Sequence, residues 1–151
     1  MNTLKGSRGV ELLQGETLTL AASAARTSGA NGDWVFVGGE RTSIMFYLDI
    51  TASATEGGDT LGVFIDVSLD GTNSIGSVIH FEHQSGTDSP AKQIATIDVS
   101  GGTSTTAITS DVAAGTVRLG MFGPYYRARW TIADSGNANS SHTFSVQAYA
   151  R

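Results

Sequence analysis

The sequence predicts an all-β protein: a single-domain β-sandwich, jelly-roll-like, behind an extended N-terminal arm. Three observations carry this expectation. Apolar residues recur with a period of two in run after run, the signature of strands with one face turned to a core. No stretch sustains the helical period. The 19 glycines, together with Asn, Asp and Ser, divide the runs into short elements of even spacing, as in sandwiches and barrels.

Residues 1–16 have no steady period. Leu4, Val10, Leu12 and Leu13 punctuate them as apolar anchors among Gly6, Gly9 and Gly15, so they read as the arm, and residues 17–151 as the sandwich domain. Within the domain, Thr17 to Ala22 is a first strand and Trp34 to Val37 a short aromatic one. Ser43 to Thr51 places Ile44, Phe46, Leu48 and Ile50 on one face; Leu61 to Leu69 does the same with Leu61, Val63, Ile65, Val67 and Leu69. Phe64, on the other face, is expected to meet Met45 or Tyr47 across a strand pair. Asp70-Gly71-Thr72-Asn73 signals a turn. Strands at Ile75 to His83, Lys92 to Val99 and Thr116 to Met121 follow, with a weaker polar one at Ser104 to Ser110. Short helical turns are expected near Ala21 to Arg26 and Asp111 to Ala114.

The C-terminal end has the strongest pattern. Tyr126, Ala128, Trp130 and Ile132 alternate with Tyr125, Arg127, Arg129 and Thr131; Phe144, Val146 and Ala148 alternate with Thr143, Ser145 and Gln147. The turn-forming residues between suggest a long-loop hairpin. Trp130, Ile132, Phe144 and Val146 join the two central apolar sets as the expected core.

Composition narrows the function. The chain of 151 residues carries 15% charged residues, against about a quarter in an average soluble domain. A surface of hydroxyls and glycines suits a protein covered by neighbours or one that lives outside the cell. The net charge of −5, with nine scattered Lys and Arg, argues against nucleic acid as a direct partner and against anionic membranes. No run has transmembrane length, and the first residues hold no signal-peptide core, so synthesis in a cytoplasm is expected. With no cysteine, neither disulfides nor thiolate metal sites are available.

No cluster of residues demands catalysis, and no enzymatic activity, cofactor or metal is expected. His80 and Glu82 share a strand face while His83 points away, so three ligands do not converge in a regular strand. The Gly-x-Ser-x-Gly elbow of Ser hydrolases is absent. Asp49, Asp66 and Glu82 read as solvating charges, not a glycosidase pair. Asp66, Asp70 and Asn73 lack the spacing of a known calcium loop. Trp34 and Tyr125 could offer rings to a sugar, so a glycan- or receptor-binding module of a tail or fibre is the alternative function.

Longer motifs carry a resemblance. Tyr-Tyr-Arg-Ala-Arg-Trp-Thr-Ile-Ala-Asp-Ser-Gly (125–136) followed by Phe-Ser-Val-Gln-Ala (144–148) resembles the C-terminal hairpin of small β-rich virion proteins of tailed bacteriophages. Phe-Tyr-Leu-Asp-Ile-Thr-Ala-Ser (46–53), Leu-Gly-Val-Phe-Ile-Asp-Val-Ser-Leu-Asp-Gly (61–71) and Leu-Thr-Leu-Ala-Ala-Ser-Ala-Ala-Arg-Thr-Ser (18–28) are similar too. The resemblance implies a capsid decoration (cement) protein: a homotrimer on the exterior of the phage head that clamps neighbouring major capsid protein subunits. It implies no catalytic residue. The candidate interface is the arm, through Leu4, Val10, Leu12 and Leu13, and the outward face of Tyr125, Arg127 and Arg129, whose arginines are expected to pair with a neighbour's acids.

Overall fold

A computed structural model of the chain describes residues 16–38, 41–98, 111–118, 121–136 and 140–151. The strand expected at Ser104 to Ser110 and the arm anchors Leu4, Val10, Leu12 and Leu13 lie outside these residues. Among the described residues there are strands and no helix. The strands are β1 (Glu16–Arg26), β2 (Ala30–Asn31), β3 (Val35–Phe36), β4 (Ser43–Ala52), β5 (Thr60–Ser68), β6 (Gly76–His80), β7 (Gln84–Ser85), β8 (Ala91–Asp98), β9 (Thr116–Val117), β10 (Tyr125–Ala133) and β11 (His142–Ala150).

They form two sheets, and every pairing is antiparallel. Sheet A runs β1-β11-β4-β8; sheet B runs β2-β10-β5-β6-β9, with β3 beside β10 and β7 beside β5. With β2/β3 and β6/β7 each counted as one interrupted strand, and β9 as an edge addition, the main strands alternate between the sheets along the chain except for the fourth and fifth, which are paired neighbours in sheet B. First, last, third and sixth make one sheet; second, seventh, fourth and fifth make the other. This is the double Greek key of a jelly roll, so the expected β-sandwich is the fold observed.

The core fills the space between the sheets. Ile44, Phe46, Leu48 and Ile50 of β4 and Phe144, Val146 and Ala148 of β11 face Leu61, Val63, Ile65 and Val67 of β5, all essentially inaccessible. Large and small side chains oppose each other along the β4–β11 ladder: Phe46 lies against Ala148, and Ala150 against Ile44. Such interlocking excludes voids that would forfeit dispersion contacts. Across the sheets the Phe46 and Tyr126 rings approach to 5.3 Å, and Trp130 meets Phe144 edge-on at 5.6 Å. Trp130 and Ile132, expected in the core, are its half-buried margin. The Tyr126 hydroxyl accepts a hydrogen bond from the Gly123 N–H at 3.1 Å. Burial of the phenol outweighs that bond and pushes its pKa up to about 12.

Four local expectations are overturned. Residues 125–133 and 142–150 do not form a hairpin: β10 pairs with β5, β2 and β3 in sheet B, whereas β11 lies between β1 and β4 in sheet A. Their connection crosses from one sheet to the other. For the same reason Phe64 cannot meet Met45 or Tyr47, because β4 and β5 belong to opposite sheets. The Ala-rich segment Ala21 to Arg26 is strand, not helical turn. Its backbone pairs with β11 from Val146 back to His142, with register shifts flanking Ala21. Arg26 anchors that irregular stretch by donating from its guanidinium to the Ala22, Ala24 and Phe144 carbonyls at 2.6–3.0 Å. Tertiary pairing here outweighs the helix propensity of alanine. Asp111 to Ala114 likewise forms no helix.

The expected turn after β5 is present. Gly71 adopts φ +73°, in the region that favours glycine. The Asp70 carboxylate accepts from the Thr72 and Asn73 backbone N–H groups at 2.9 and 2.8 Å, and from Asn73 Nδ2 at 2.8 Å. These donors hold its pKa far below the ordinary carboxylate range.

Candidate functional surfaces and buried polar groups

The outer face of sheet B carries the residues singled out from the sequence. Tyr125, Arg127, Arg129 and Thr131 of β10 stand opposite Ser68, Asp66, Phe64 and Gly62 of β5. Asp66 was expected to solvate this face; instead it is 2% exposed. Arg127 reaches its Oδ2 at 3.1 Å through both Nε and Nη2, and Arg129 Nε sits 3.1–3.2 Å from both carboxylate oxygens. Arg129 also donates to Asp111 Oδ1 at 2.6 Å. The two arginines therefore find acids within their own chain. A carboxylate under two guanidiniums is compensated for its lost hydration.

Aromatic rings extend this layer. The Arg127 guanidinium lies 4.5 Å from the centre of the Trp34 ring, and that of Arg129 lies 4.0 Å from Phe64. Phe64 in turn stacks on His80 at 3.8 Å. Trp34 thus has one ring face covered, and Tyr125 meets Phe36 at a tilt of 55°. These rings do not make the flat platform that a sugar face requires.

His80 and His83, expected on opposite strand faces, come together. The chain leaves regular pairing at 81–83, between β6 and β7, and this break swings His83 back until its Nε2 lies 3.1 Å from His80 Nε2. Glu82 does not join them: it is exposed, and its backbone exchanges hydrogen bonds with the Gln93 side chain. Among the described residues no group of three or more His, Cys, Asp or Glu is placed to share a metal ion. The oxygens weighed for calcium are committed elsewhere, Asp66 to arginines and Asp70 to its own turn.

Among the described residues two apolar areas are exposed. On the outer face of sheet A, Met45 is paired with Tyr149 on one side and Thr96 on the other, and its neighbour Tyr47 is paired with Ile94. Ile94 is 68% exposed; Met45 and Tyr149 are also open. The second area lies at one end of sheet B, where Phe36 rests on Tyr125, and Leu69 and Ile75 flank the β5–β6 turn; Leu69, expected on the apolar face of its strand, lies just past the end of β5 and is exposed. Alternation alone does not reveal the first area, because Met45, Ile94 and Tyr149 are isolated apolar residues in otherwise polar outward sets. Only the strand register makes them neighbours.

At the other end of the sandwich His142 is fully buried, and neither of its ring nitrogens has a hydrogen-bond partner. Burial lowers its pKa from 6.5, against the opposing pull of the Asp59 charge. The folded protein therefore keeps His142 neutral at a pH where the unfolded chain already binds a proton. Stability from this group is complete above about pH 6.5 and falls as acid titrates the unfolded imidazole. Thermal midpoints at about pH 7.5 and 5.5 should differ less in His142→Gln than in the parent. Equal pH dependence in the two proteins would show that His142 contributes nothing.

Fold and surface together define a jelly-roll sandwich with a self-neutralised polar face and a separate apolar one. No family model matches the chain, and no curated protein sequence matches it. Among solved structures it is similar to a chain in the structure of infectious bursal disease virus Gx strain, with a TM-score of 0.51 at 12% identity. The match covers 90% of this chain and 31% of that one, so this domain spans about a third of the viral chain. At that identity the likeness concerns the fold.

Proposed function

We propose that the chain is a virion structural protein, and specifically a capsid decoration protein that seats on the exterior of a tailed-phage head as a homotrimer and bridges major capsid protein subunits. The observation that carries this reading is the exposed apolar face of sheet A around Met45, Ile94 and Tyr149 on a chain with few charges. Contiguous apolar surface rimmed by Thr and Gln side chains is what an assembly interface presents before it is covered. The jelly-roll strand order and the likeness of the fold to a chain from a virus structure support the same reading. The sequence resemblance supplies the phage and the cement role. The mechanism is mechanical: each copy buries apolar surface across a junction, and those contacts must break before the shell opens. It contains no catalytic step.

The arm contributes Leu4, Val10, Leu12 and Leu13 to this interface, and Tyr125 adds the apolar end of sheet B. Arg127 and Arg129 take a supporting part, because their charge is already engaged by Asp66. The test uses heads of the encoding phage that lack this chain. Purified protein should bind them in fixed stoichiometry, cryo-electron microscopy should place it outside at threefold positions, and light scattering should give a trimer. Ile94→Lys with Tyr149→Lys, or removal of residues 2–14, should abolish binding without lowering the melting temperature. Binding undiminished by either change, or density on the tail alone, would reject the decoration reading. A monomer both free and on the head would reject the trimer.

A further inference from the structure

We propose that His80 and His83 form a two-imidazole site for a divalent transition metal of the zinc–copper class, on the outer face of sheet B above Gly62. Four features of the chain support it. The two Nε2 atoms lie 3.1 Å apart. With metal–nitrogen bonds of about 2.0–2.1 Å, that separation subtends about 98° at an ion, between octahedral and tetrahedral angles.

The second feature is the tautomer of His80. Its Nδ1 lies 2.8 Å from the Val112 carbonyl oxygen, which can only accept, so Nδ1 carries the proton and the Nε2 lone pair is free. An imidazole oriented by a backbone carbonyl through its far nitrogen is the usual support of a metal ligand. Phe64, stacked on the ring, fixes its plane.

The third is Gly62. A Cβ at this position would lie 3.3 and 3.4 Å from the two Nε2 atoms and 2.9 Å from Thr131 Oγ1. The missing side chain leaves room beneath the nitrogens, with a hydroxyl oxygen on its far side. The fourth is access: His80 is nearly buried, but His83 is exposed, so an ion enters from solvent and keeps water in its remaining positions. Arg129, whose charge acts on His80, is held by Asp66 and Asp111, which offset its repulsion. A donor set of imidazoles without carboxylate or thiolate suits copper and zinc over calcium or magnesium. Without metal, His83 Nε2–H donates to His80 Nε2. Binding needs only that His83 move its proton from Nε2 to Nδ1, so both rings remain neutral.

The experiment uses the full chain with Cu²⁺ and Zn²⁺ as probes. Calorimetry should find one saturable site for each, and the Cu²⁺ electron paramagnetic resonance spectrum should show coupling to two imidazole nitrogens. His83→Asn, at an exposed position, should fold with unchanged melting temperature and lose about tenfold or more in affinity for both ions. Gly62→Ala should weaken binding in the same direction by filling the space under the nitrogens. Absence of a saturable site, or an affinity that His83→Asn leaves unmoved, overturns the proposal. Neither result bears on attachment to capsids, so this site and the decoration role stand or fall separately.

Discussion

Phe144→Ala should destabilise the protein by about 3–5 kcal/mol, the range for deleting a buried aromatic ring and leaving a cavity. Phe144 is 0% exposed and sits on β11, the central strand of sheet A between β1 and β4. Its ring meets Trp130 of the opposite sheet edge-on, and the Arg26 guanidinium covers it at 4.2 Å. Neighbouring inward residues, Val146 and Ala148, are too short to collapse into the space. Urea unfolding followed by tryptophan fluorescence measures the loss directly, since Trp130 lines the cavity. A cost below about 1 kcal/mol would mean that the two sheets do not close over this ring as described.

Asp66→Asn should cost about 2–4 kcal/mol, although it changes one oxygen to nitrogen on the outer face of the sandwich. The amide keeps the volume but leaves Arg127 without its carboxylate and Arg129 with only the half-exposed Asp111. The penalty stays below that of a wholly buried pair because both guanidiniums retain some water. Replacing Arg127 and Arg129 together by alanine should be destabilising too, since Asp66 would remain buried without a counter-charge. Strand alternation alone would make that double change harmless to the fold; the burial of Asp66 predicts the opposite. Exchanging Asp66, Arg127 and Arg129 together for Leu, Met and Met should recover much of the stability, because no charge is then stranded. Denaturant midpoints for the three proteins decide the matter. An Asp66→Asn midpoint equal to the parent would show that the pairs contribute nothing.

The candidate surfaces were less legible than the fold. Arg127 and Arg129 are correctly placed on the outward side of β10 by alternation, yet alternation does not say what stands opposite. Asp66 is 61 residues from Arg127 in the chain, and only the β5–β10 register sets the two face to face. The apolar area of Met45, Ile94 and Tyr149 has the same origin: three separate strands each contribute one residue. For His80 and His83 the failure is different. A regular strand does put them on opposite faces; the interruption at 81–83 cancels that rule, and no turn signal marks it.

By itself the sequence determined that the fold is all-β and which side of the long strands β4, β5, β10 and β11 is apolar, but not the strand character of Ala21 to Arg26. These are local properties: a period of two can be read within a few residues, and burial of one face follows from hydrophobic transfer whatever the partner. Ile44 to Ile50, Leu61 to Val67 and Phe144 to Val146 are accordingly where alternation puts them. Only the tertiary structure decided which strands are neighbours. Pairing joins segments far apart in the chain, and the same alternating pattern fits either sheet equally well. So β10 and β11, adjacent in sequence, separate into opposite sheets: β10 lies between β5 and the short β2 and β3, whereas β11 lies between β1 and β4. That choice also settled the chemistry of the outer faces, covering Asp66 with two arginines, joining two histidines over a glycine, and leaving one apolar face of sheet A uncovered.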